Sequence, residues 1–362
     1  MQGTAGNGCG WMLKTLRYYA VRAGNSRDFS SSGSDRFSSR GPVLMKPTTL
    51  DVSSYTSRLQ RLAANLGKVI RGKDDVIRDM VIALLTGGSV LIEDVPGVGK
   101  TTLTKALAAS LDLEFNRIQS TPDLLPSDIF GFSVLNPQDG TFSFRPGPVF
   151  CNLLMVDEIN RASPRTQAAL LEAMAEGQVT VEGRRYQLEK PFMVLATQNP
   201  VGHQGTFPLP ESQLDRFLFQ LSMGYPDTAS EVDLLYDQTQ NDRQAQQLEC
   251  VLTKDELLEC HALVRQVHVD RAVADYIVTI AGKTREAEQL ELGCSPRATL
   301  MIFQAAQATA FLEGRDFVLP DDVQHVVPRV LRHRLVLSRS VAGSAERDEL
   351  IAEILREVRV PV

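Results

Sequence analysis

The sequence predicts an α/β fold: an αβα sandwich with a mostly parallel sheet, followed by a small all-helical domain. Three observations support this prediction. A near match to a phosphate-binding loop lies between a predicted strand and a predicted helix. Short β-rich runs then alternate with helical segments, which is typical of parallel α/β domains. From Asp227 onward the pattern changes to helices.

The α/β part is predicted from residue periodicity. Apolar residues recur at helical spacing in Ser57–Leu66 and Asp74–Leu85. The strand SVLIE at Ser89–Glu93 follows, then the Gly-rich loop, and then a helix over Thr101–Leu111. Further β-rich runs indicate the rest of the sheet: EFNRI from 114, NLLMV from 152, FMVLAT from 192 and FLFQL from 217.

Helix-start signals predict the second domain. Thr253 and Glu256 have the spacing of a capping box. Ser295 is an N-cap followed by proline, which the first helical turn tolerates, and LPDD at Leu319 opens another helix. We therefore predict an α/β domain over 47–225 and a helical domain over 226–362.

Residues 1–46 are predicted to be a disordered tail, because they are rich in Gly, Ser and Arg and poor in apolar residues. Two other interpretations stay open. Translation could start at Met45, which would make the tail an artefact of start-site choice. The Arg- and Ser-rich, acid-poor composition is also compatible with an organelle transit peptide.

Composition excludes several classes of protein. The chain has 362 residues, and its longest apolar run, Met80–Leu85, is too short to span a membrane. The net charge is −6, with +5 in residues 1–46 and −11 in the remainder, so nucleic acid is an unlikely partner. The five cysteines form no C-x-x-C pair, which predicts reduced thiols in a cytoplasmic protein without a zinc site.

The run IEDVPGVGKTT nearly matches the phosphate-binding motif G-x-x-x-x-G-K-[ST]. In such a loop, backbone N–H groups surround a polyphosphate, and glycines let the chain approach closely. Lys100 would reach the β- and γ-phosphates, and the hydroxyl of Thr101 would bind Mg²⁺. The predicted nucleotide-binding residues of the loop are Asp94, Val95, Pro96, Gly97, Val98, Gly99, Lys100, Thr101 and Thr102.

Asp94 departs from this motif, because it stands where the first glycine is expected. A carboxylate beside phosphates is unfavourable by charge, so we expect its side chain to point away. The motif alone leaves a working site, a lapsed site and a chance match open.

Two further strands end in polar residues. The apolar strand Leu153–Val156 is followed by Asp157, which could hold Mg²⁺, and by Glu158, which could orient and deprotonate the attacking water. The strand FMVLAT leads to Asn199, whose amide could touch the γ-phosphate or the water. A strand-terminal acidic pair and a turn-forming asparagine are the plainer alternatives.

Two arginines complete the candidate set. Arg216 lies in LPESQLDRFLF, and Arg297 lies in CSPRATL at a predicted helix start. Arginines usually lie on solvated faces. Phosphoryl transfer, however, is aided by arginines that neutralise γ-phosphate charge, sometimes from another subunit.

Five segments together resemble the MoxR family of AAA+ ATPases: LIEDVPGVGKTTL, DEINRA, ATQNP, GTFPLPESQLDRF and SPRA. The resemblance spans about residue 58 to the C-terminus. The family's loop itself tends to read E-D-V-P-G-x-G-K-T, so the resemblance implies a working site despite Asp94. It also implies that Glu158 is the catalytic glutamate, that Asn199 is sensor 1, that Arg216 reaches into the neighbour's site, and that Arg297 is sensor 2 on a helical lid.

The resemblance further implies Mg²⁺-dependent ATP hydrolysis in a homohexameric ring. In this family such work is directed at maturation or assembly of a client protein, often beside a separate protein with a von Willebrand A domain. Hydrolysis would move the lid against the α/β domain through Arg297. Ile70 and Gly72, in VIRGKDDVI, would contact adenine.

Two stretches read as hairpins inserted near residues 131–150 and 178–190, the second turning at Glu182-Gly183. In relatives such hairpins face the ring pore or a substrate, and surface decoration is the alternative. VLRHRL, Val330–Leu335, could place His333 at a metal or phosphate, but we expect instead a lid helix with a basic face.

Four other functions are weighed against the chaperone-like motor. The first is the ATPase subunit of a metal chelatase, a protein that is closely related to the MoxR family. A nucleic-acid motor would rest on Arg184 and Arg185 at a hairpin tip, against an acidic body. A transcription activator of this class would carry a G-A-F-T-G-A loop, which this sequence lacks. An inactive nucleotide-binding scaffold is disfavoured because every catalytic position is filled.

Overall fold

The computed structural model describes residues 53–94, 97–138, 140–199, 205–225, 248–338 and 344–361. Three predictions lie outside these residues: the tail at 1–46, the domain boundary near 226, and the loop residues Val95 and Pro96.

The described helices are α1 (Ser53–Val69), α2 (Asp74–Thr86), α3 (Lys100–Ser110), α4 (Pro126–Phe130), α5 (Pro164–Glu176), α6 (Glu211–Leu214), α7 (Lys254–Val264), α8 (Arg271–Glu286), α9 (Pro296–Leu312), α10 (Pro320–Leu331) and α11 (Ser344–Glu357). The described strands are β1 (Val90–Glu93), β2 (Phe115–Gln119), β3 (Gly131–Leu135), β4 (Phe142–Pro146), β5 (Leu153–Asp157), β6 (Gln178–Val181), β7 (Arg184–Gln187), β8 (Met193–Gln198), β9 (Phe219–Leu221), β10 (Leu290–Leu292) and β11 (Val336–Leu337).

The central sheet has the order β2-β5-β8-β1-β9, and all four neighbouring pairs are parallel. The five strands are those that the sequence predicted, so the parallel α/β sheet is confirmed. Their order is not their order along the chain. Because all five run the same way, their carboxyl ends form one edge, and the segments that follow β1, β5 and β8 meet there.

Both faces of this sheet are covered, which explains why its central strands are almost continuously apolar. Along β1 the side chains alternate between two hydrophobic clusters: Val90 and Ile92 belong to one, and Leu91 belongs to the other. The first cluster continues through α1, α2, α3 and the C-terminal helices. The second includes α5 and the β6 strand beside it.

The C-terminal helices begin where their capping residues stand. The Thr253 hydroxyl and the Glu256 carboxylate form the predicted capping box of α7. The Ser295 hydroxyl accepts the Ala298 N–H at the start of α9. A short antiparallel pair, β10 with β11, lies among these helices and was not predicted. The residues that the structure describes form one compact unit, since the C-terminal helices share a hydrophobic cluster with α1 and α2.

Two hairpins project from the α/β part. β3 pairs with β4, and β6 pairs with β7, both antiparallel. The second hairpin turns at Glu182 and Gly183, whose φ angles are 51° and 79°, as a two-residue I′ turn requires. The hairpins contact each other through the stacked rings of Phe144 and Tyr186, whose centroids lie 4.2 Å apart.

The predicted basic face at Val330–Leu335 is wrong for two residues. α10 ends at Leu331, and both His333 and Arg334 are 4% exposed. The His333 Nε2 lies 3.2 Å from the carbonyl oxygen of Phe217. Burial lowers the pKa of His333 well below its usual value, so the imidazole is neutral and donates this hydrogen bond.

Among the described residues, no helix is both long enough and apolar enough to cross a membrane.

Candidate active site

The phosphate loop connects β1 to α3 at the carboxyl edge of the sheet. Gly97 and Gly99 have φ angles of 86° and 92°, which L side chains rarely adopt. A Cβ at Gly97 would meet nothing within 4 Å. The glycine is therefore needed for its backbone angle, and the space beside it is open to a ligand.

Asp94 points away from the loop, as expected from its charge. The side chain is 7% exposed, and its Oδ2 accepts the backbone N–H groups of Met223 and Gly224, the second at 2.9 Å. The Ser222 hydroxyl lies 3.3 Å from the same oxygen. Asp94, which stands in place of the first glycine of the motif, thus attaches the start of the loop to the segment after β9.

Lys100 begins α3, and its Nζ donates to the carbonyl oxygen of Asp94 at 2.7 Å. Burial lowers the pKa of Lys100, and the nearby charges of Asp94, Asp157 and Glu158 oppose this shift. The ammonium group therefore carries its charge near Asp157, the last residue of β5, and Glu158, which follows it. Thr101 and Thr102 follow in the first turn of α3 and are half-buried.

Asp157 ends β5 and is buried. Its Oδ2 accepts a hydrogen bond from Arg117 Nε at 2.7 Å and forms an ion pair with Arg117 Nη2 at 2.5 Å. Its Oδ1 accepts the hydroxyl of Thr197 at 3.2 Å. The carboxylate is thus fixed in place, and its charge is partly balanced by the arginine.

Glu158 has an unusual backbone, with φ 52° and ψ 51°. For a non-glycine residue this left-handed conformation costs about 1–2 kcal/mol. It turns the chain sharply after β5. The carboxylate, 28% exposed, lies 3.2 Å from the Gln119 amide nitrogen and 3.0 Å from Arg161 Nε.

Sequence reasoning missed Arg117, Gln119 and Thr197. Arg117 and Gln119 are two apart on β2, so they share one face of that strand, and β2 pairs directly with β5. The polar run FNRIQ, among strands that are otherwise apolar, was the available signal. Its meaning depends on the strand order, which the sequence did not specify.

Asn199 follows β8, which lies between β5 and β1, and therefore stands at the same carboxyl edge. Ile70 is 6% exposed, and its Cδ1 would lie 3.6 Å from a Cβ at Gly99, so it packs against the phosphate loop. Gly72 has a φ of 67° in the turn between α1 and α2. Ile70, one of the two predicted adenine contacts, therefore lies next to the loop.

Arg216 and Arg297 lie together, but not at the phosphate loop. Both line a cavity of about 260 Å³ with Thr86, Gly88 and Ser89, which precede β1, whereas the loop follows β1. β1 has four residues, which at about 3.3 Å each separate the two ends by about 13 Å. The Arg216 Nη1 donates to the Leu171 carbonyl oxygen at 2.9 Å.

The residues at the carboxyl edge fit ATP and Mg²⁺. A Cβ built at Gly97 would meet nothing within 4 Å, so the loop leaves room for a phosphate there, and the α3 N-terminus favours anions. The Thr101 hydroxyl and the Asp157 carboxylate are oxygen donors, and Mg²⁺ is commonly held by one or two carboxylates together with substrate phosphates. The desolvated amine of Lys100 supplies the positive charge that phosphates require.

Comparison with known proteins agrees with this arrangement. Residues 89–219 match the model of the ATPase family associated with various cellular activities (AAA), and residues 282–357 match the AAA lid domain. The chain is 47% identical to YeaC of Bacillus subtilis over 305 residues, covering 84% of this chain and 95% of YeaC. It is 40% identical to the chaperone MoxR1 of Mycobacterium tuberculosis, covering 84% of this chain and 82% of MoxR1.

A solved structure is also similar. The crystal structure of a Cytophaga hutchinsonii protein, provisionally described as an ATPase, superposes with a TM-score of 0.79 at 36% identity. The match covers 86% of this chain and 97% of that one. The likeness therefore extends over the α/β part and the C-terminal helices together.

Proposed function

The chain belongs to the MoxR family of AAA+ ATPases, and from that premise we propose that it hydrolyses ATP with Mg²⁺ at sites shared between neighbouring subunits of a cytoplasmic homohexameric ring. The cycle would act, as a chaperone does, on the maturation or assembly of a client protein. One observation carries the shared site: Arg216 and Arg297 lie at the opposite end of β1 from their own phosphate loop.

Within one subunit, the loop N–H groups and Lys100 hold the phosphates. Thr101 and Asp157 would hold Mg²⁺, which when bound neutralises charge on the transferred phosphoryl group. Glu158 accepts a proton from the attacking water and aligns it, and Asn199 donates to the γ-phosphate or to that water.

The arginines act on the next subunit. A ring built from head-to-tail contacts brings one edge of each subunit against the opposite edge of its neighbour. Arg216 and Arg297 would then lie against the neighbour's γ-phosphate and stabilise negative charge there. The family resemblance implies that Arg297 links hydrolysis to movement of the lid. Because Arg297 lies beside Arg216, we propose that it does so by contacting the neighbour's nucleotide.

The β3–β4 hairpin is the proposed contact with the client. Its tip exposes the cross-strand pair Leu135 and Phe142, which are 50% and 70% exposed, and Phe132 is also exposed. Exposed apolar patches of this kind mark interaction sites. A von Willebrand A domain protein, as a separate chain, is the partner that the family suggests.

The test is the ATPase rate per subunit over a range of protein concentrations, for the wild type and for Arg216→Ala. We expect the wild-type rate to rise with concentration as rings assemble, and Arg216→Ala to lose about a thousandfold or more, since arginine fingers contribute that much. Arg184→Ala, which changes an exposed arginine of β7, is the control with wild-type activity. A rate that is flat with concentration, together with a silent Arg216→Ala, contradicts the shared site.

A further inference from the structure

Arg334 is a buried arginine that the proposed reaction does not use. Its side chain is 3% exposed, and every nitrogen of its guanidinium donates a hydrogen bond. Nε donates to Asp215 Oδ1 at 2.9 Å, Nη2 donates to the Asp215 carbonyl at 3.1 Å, and Nη1 donates to the Leu218 carbonyl at 3.2 Å. Further bonds reach the carbonyl oxygens of Phe217 and Val330. Arg334 therefore binds the chain on both sides of Arg216.

Asp215 is the acceptor that connects Arg334 to the second arginine. Besides Arg334, its Oδ1 accepts the Ser295 hydroxyl at 2.8 Å, and its Oδ2 lies 3.6 Å from Arg297 Nη1. Ser295 is the N-cap of α9, the helix whose first turn carries Arg297. One carboxylate thus joins the turn before Arg216, the start of α9 and the segment after α10. We call Asp215, Ser295 and Arg334 the Asp215 joint.

We propose that the Asp215 joint is a positioning device that holds Arg216 and Arg297 in register with each other for the neighbouring subunit's nucleotide. Asp215 and Arg334 touch neither the phosphates nor the water, and act only through the two arginines. The proposal rests on the shared site proposed above. It also gives a function to Arg334 of the segment VLRHRL, which has no role at the phosphate loop.

A purely stabilising role accounts poorly for this pair. A buried ion pair is weak evidence for stability, because desolvating two charges offsets much of their attraction. Replacing such a pair by well-packed apolar side chains is often neutral or even stabilising. The charges instead connect the two elements that carry the arginines, and a rigid connection of that kind fixes their separation.

The first test is Asp215→Asn, which keeps the size of the side chain and removes its charge. Arg334→Lys is the second variant, which keeps the charge but removes the forked donors. We expect each to lower the ATPase rate about ten- to a hundredfold, as for a misplaced catalytic group. Affinity for a fluorescent ATP analogue should stay within about twofold, because each chain's own phosphate loop is untouched.

Asp322→Asn is the matched control. Asp322 is 4% exposed and pairs with Arg315 in the same group of helices, with no contact to the arginines of the site. It tests whether loss of any buried ion pair lowers activity. We expect it to lower thermal stability and keep the ATPase rate of assembled rings, whereas equal loss of activity in Asp322→Asn and Asp215→Asn overturns the positioning role.

The deciding measurement is complementation between subunits. Asp215→Asn keeps its phosphate loop, and Lys100→Ala keeps its joint and arginines. Rings mixed from equal amounts of these two impaired variants should be more active than either variant alone, because random assembly makes about one quarter of the interfaces productive. Mixing Arg216→Ala with Lys100→Ala under the same conditions tests the shared site alone.

The two proposals fail differently. Recovery in the Arg216→Ala mixture without recovery in the Asp215→Asn mixture overturns the joint and leaves the shared site standing. No recovery in either mixture overturns both, since the joint then positions nothing in a neighbour's site. Arg334→Lys mixed with Lys100→Ala provides the second variant, should Asp215→Asn fail to fold as judged by its melting temperature.

Discussion

The Thr197 hydroxyl lies between the two acidic residues of the candidate site. It accepts the Glu158 N–H at 2.9 Å and donates to Asp157 Oδ1 at 3.2 Å. One hydroxyl from β8 thus fixes both the carboxylate that is proposed to bind Mg²⁺ and the backbone that carries the proposed base. Because the N–H of Glu158 is satisfied here, the strained left-handed conformation of that residue is supported by its neighbours.

Glu158→Gln tests whether Glu158 is needed for hydrolysis but not for ATP binding. Glutamine keeps the size of the side chain and loses the basic oxygen, so ATP binding should persist. Hydrolysis should fall about a hundredfold or more, the usual contribution of general base catalysis. Fluorescent-nucleotide titration and phosphate release measure the two effects, and Glu172→Gln, an exposed residue of α5, is the control. Normal hydrolysis by Glu158→Gln would show that another group activates the water.

Asp94→Ala tests the attachment of the loop to the segment after β9. The substitution leaves the N–H groups of Met223 and Gly224 without their acceptor, and each such loss costs about 1–3 kcal/mol. We expect the free energy of unfolding to fall by about 3 kcal/mol, and ATP to bind more weakly as the loop loosens.

Urea unfolding and nucleotide titration check both effects. Asp112→Ala removes an exposed carboxylate and should change neither quantity. If Asp94→Ala is as stable as the wild type, the Asp94 contacts contribute nothing to the free energy of unfolding. The aspartate in place of the motif's first glycine would then have no structural role.

At the scale of elements, the strands were predictable because each is a short apolar run bounded by turns. The β6–β7 turn was predictable too, because Glu182-Gly183 can adopt two successive positive φ angles. The partners of Asp157 were not predictable. Arg117 is 40 residues away, and it meets Asp157 only because β2 becomes the neighbour of β5 in the folded sheet.

The burial of His333 and Arg334 was hidden for a related reason. In VLRHRL the basic residues read as a solvated helix face, since charged side chains are rarely buried without partners. The partner, Asp215, lies 119 positions earlier along the chain. Periodicity describes one helix at a time, so a contact between distant elements gives no local signal.

The β3–β4 hairpin carries an element-scale prediction. Replacing both Leu135 and Phe142 by serine removes apolar surface that the folded subunit does not bury. The ATPase rate and melting temperature should therefore stay at wild-type values. Suppression of heat-induced aggregation of citrate synthase, an unfolded model client, should fall.

Val278→Ser is the matched control, because Val278 is 57% exposed on α8, away from both hairpins. It should leave the suppression of aggregation unchanged. Equal suppression by the hairpin variant and the wild type would remove the hairpin from the client contact.

Across the whole molecule, buried polar contacts connect the C-terminal helices to the rest. Asp79 of α2 accepts hydrogen bonds from His325 at 3.0 Å and Arg329 at 2.7 Å, both on α10. His333 donates to the Phe217 carbonyl beside β9. These contacts join the C-terminal helices to α2 and to the sheet. A movement of those helices would therefore also displace α2 and the segment before β9.

The buried histidine makes stability depend on pH. Burial holds the pKa of His333 well below the ordinary 6.5, and its buried Nδ1 has no hydrogen-bond partner among the described residues, so the folded chain does not bind this proton. The unfolded chain binds it once the pH falls below about 6.5. Below that pH the unfolded state carries more protons, and folding stability decreases as pH falls, by up to about 1.4 kcal/mol per unit for each such group.

Urea midpoints measured between about pH 7.5 and 5.5 should therefore decrease on acidification, and more gently in His333→Gln, whose amide does not titrate. His268→Gln, which replaces an exposed histidine, is the matched control. The slope matters more than the absolute stability, since glutamine at a buried site carries its own packing cost. A His333→Gln slope equal to that of the wild type would mean that His333 is protonated in the folded chain. Its hydrogen bond to Phe217 would then be the contact of a buried imidazolium and not of a neutral ring.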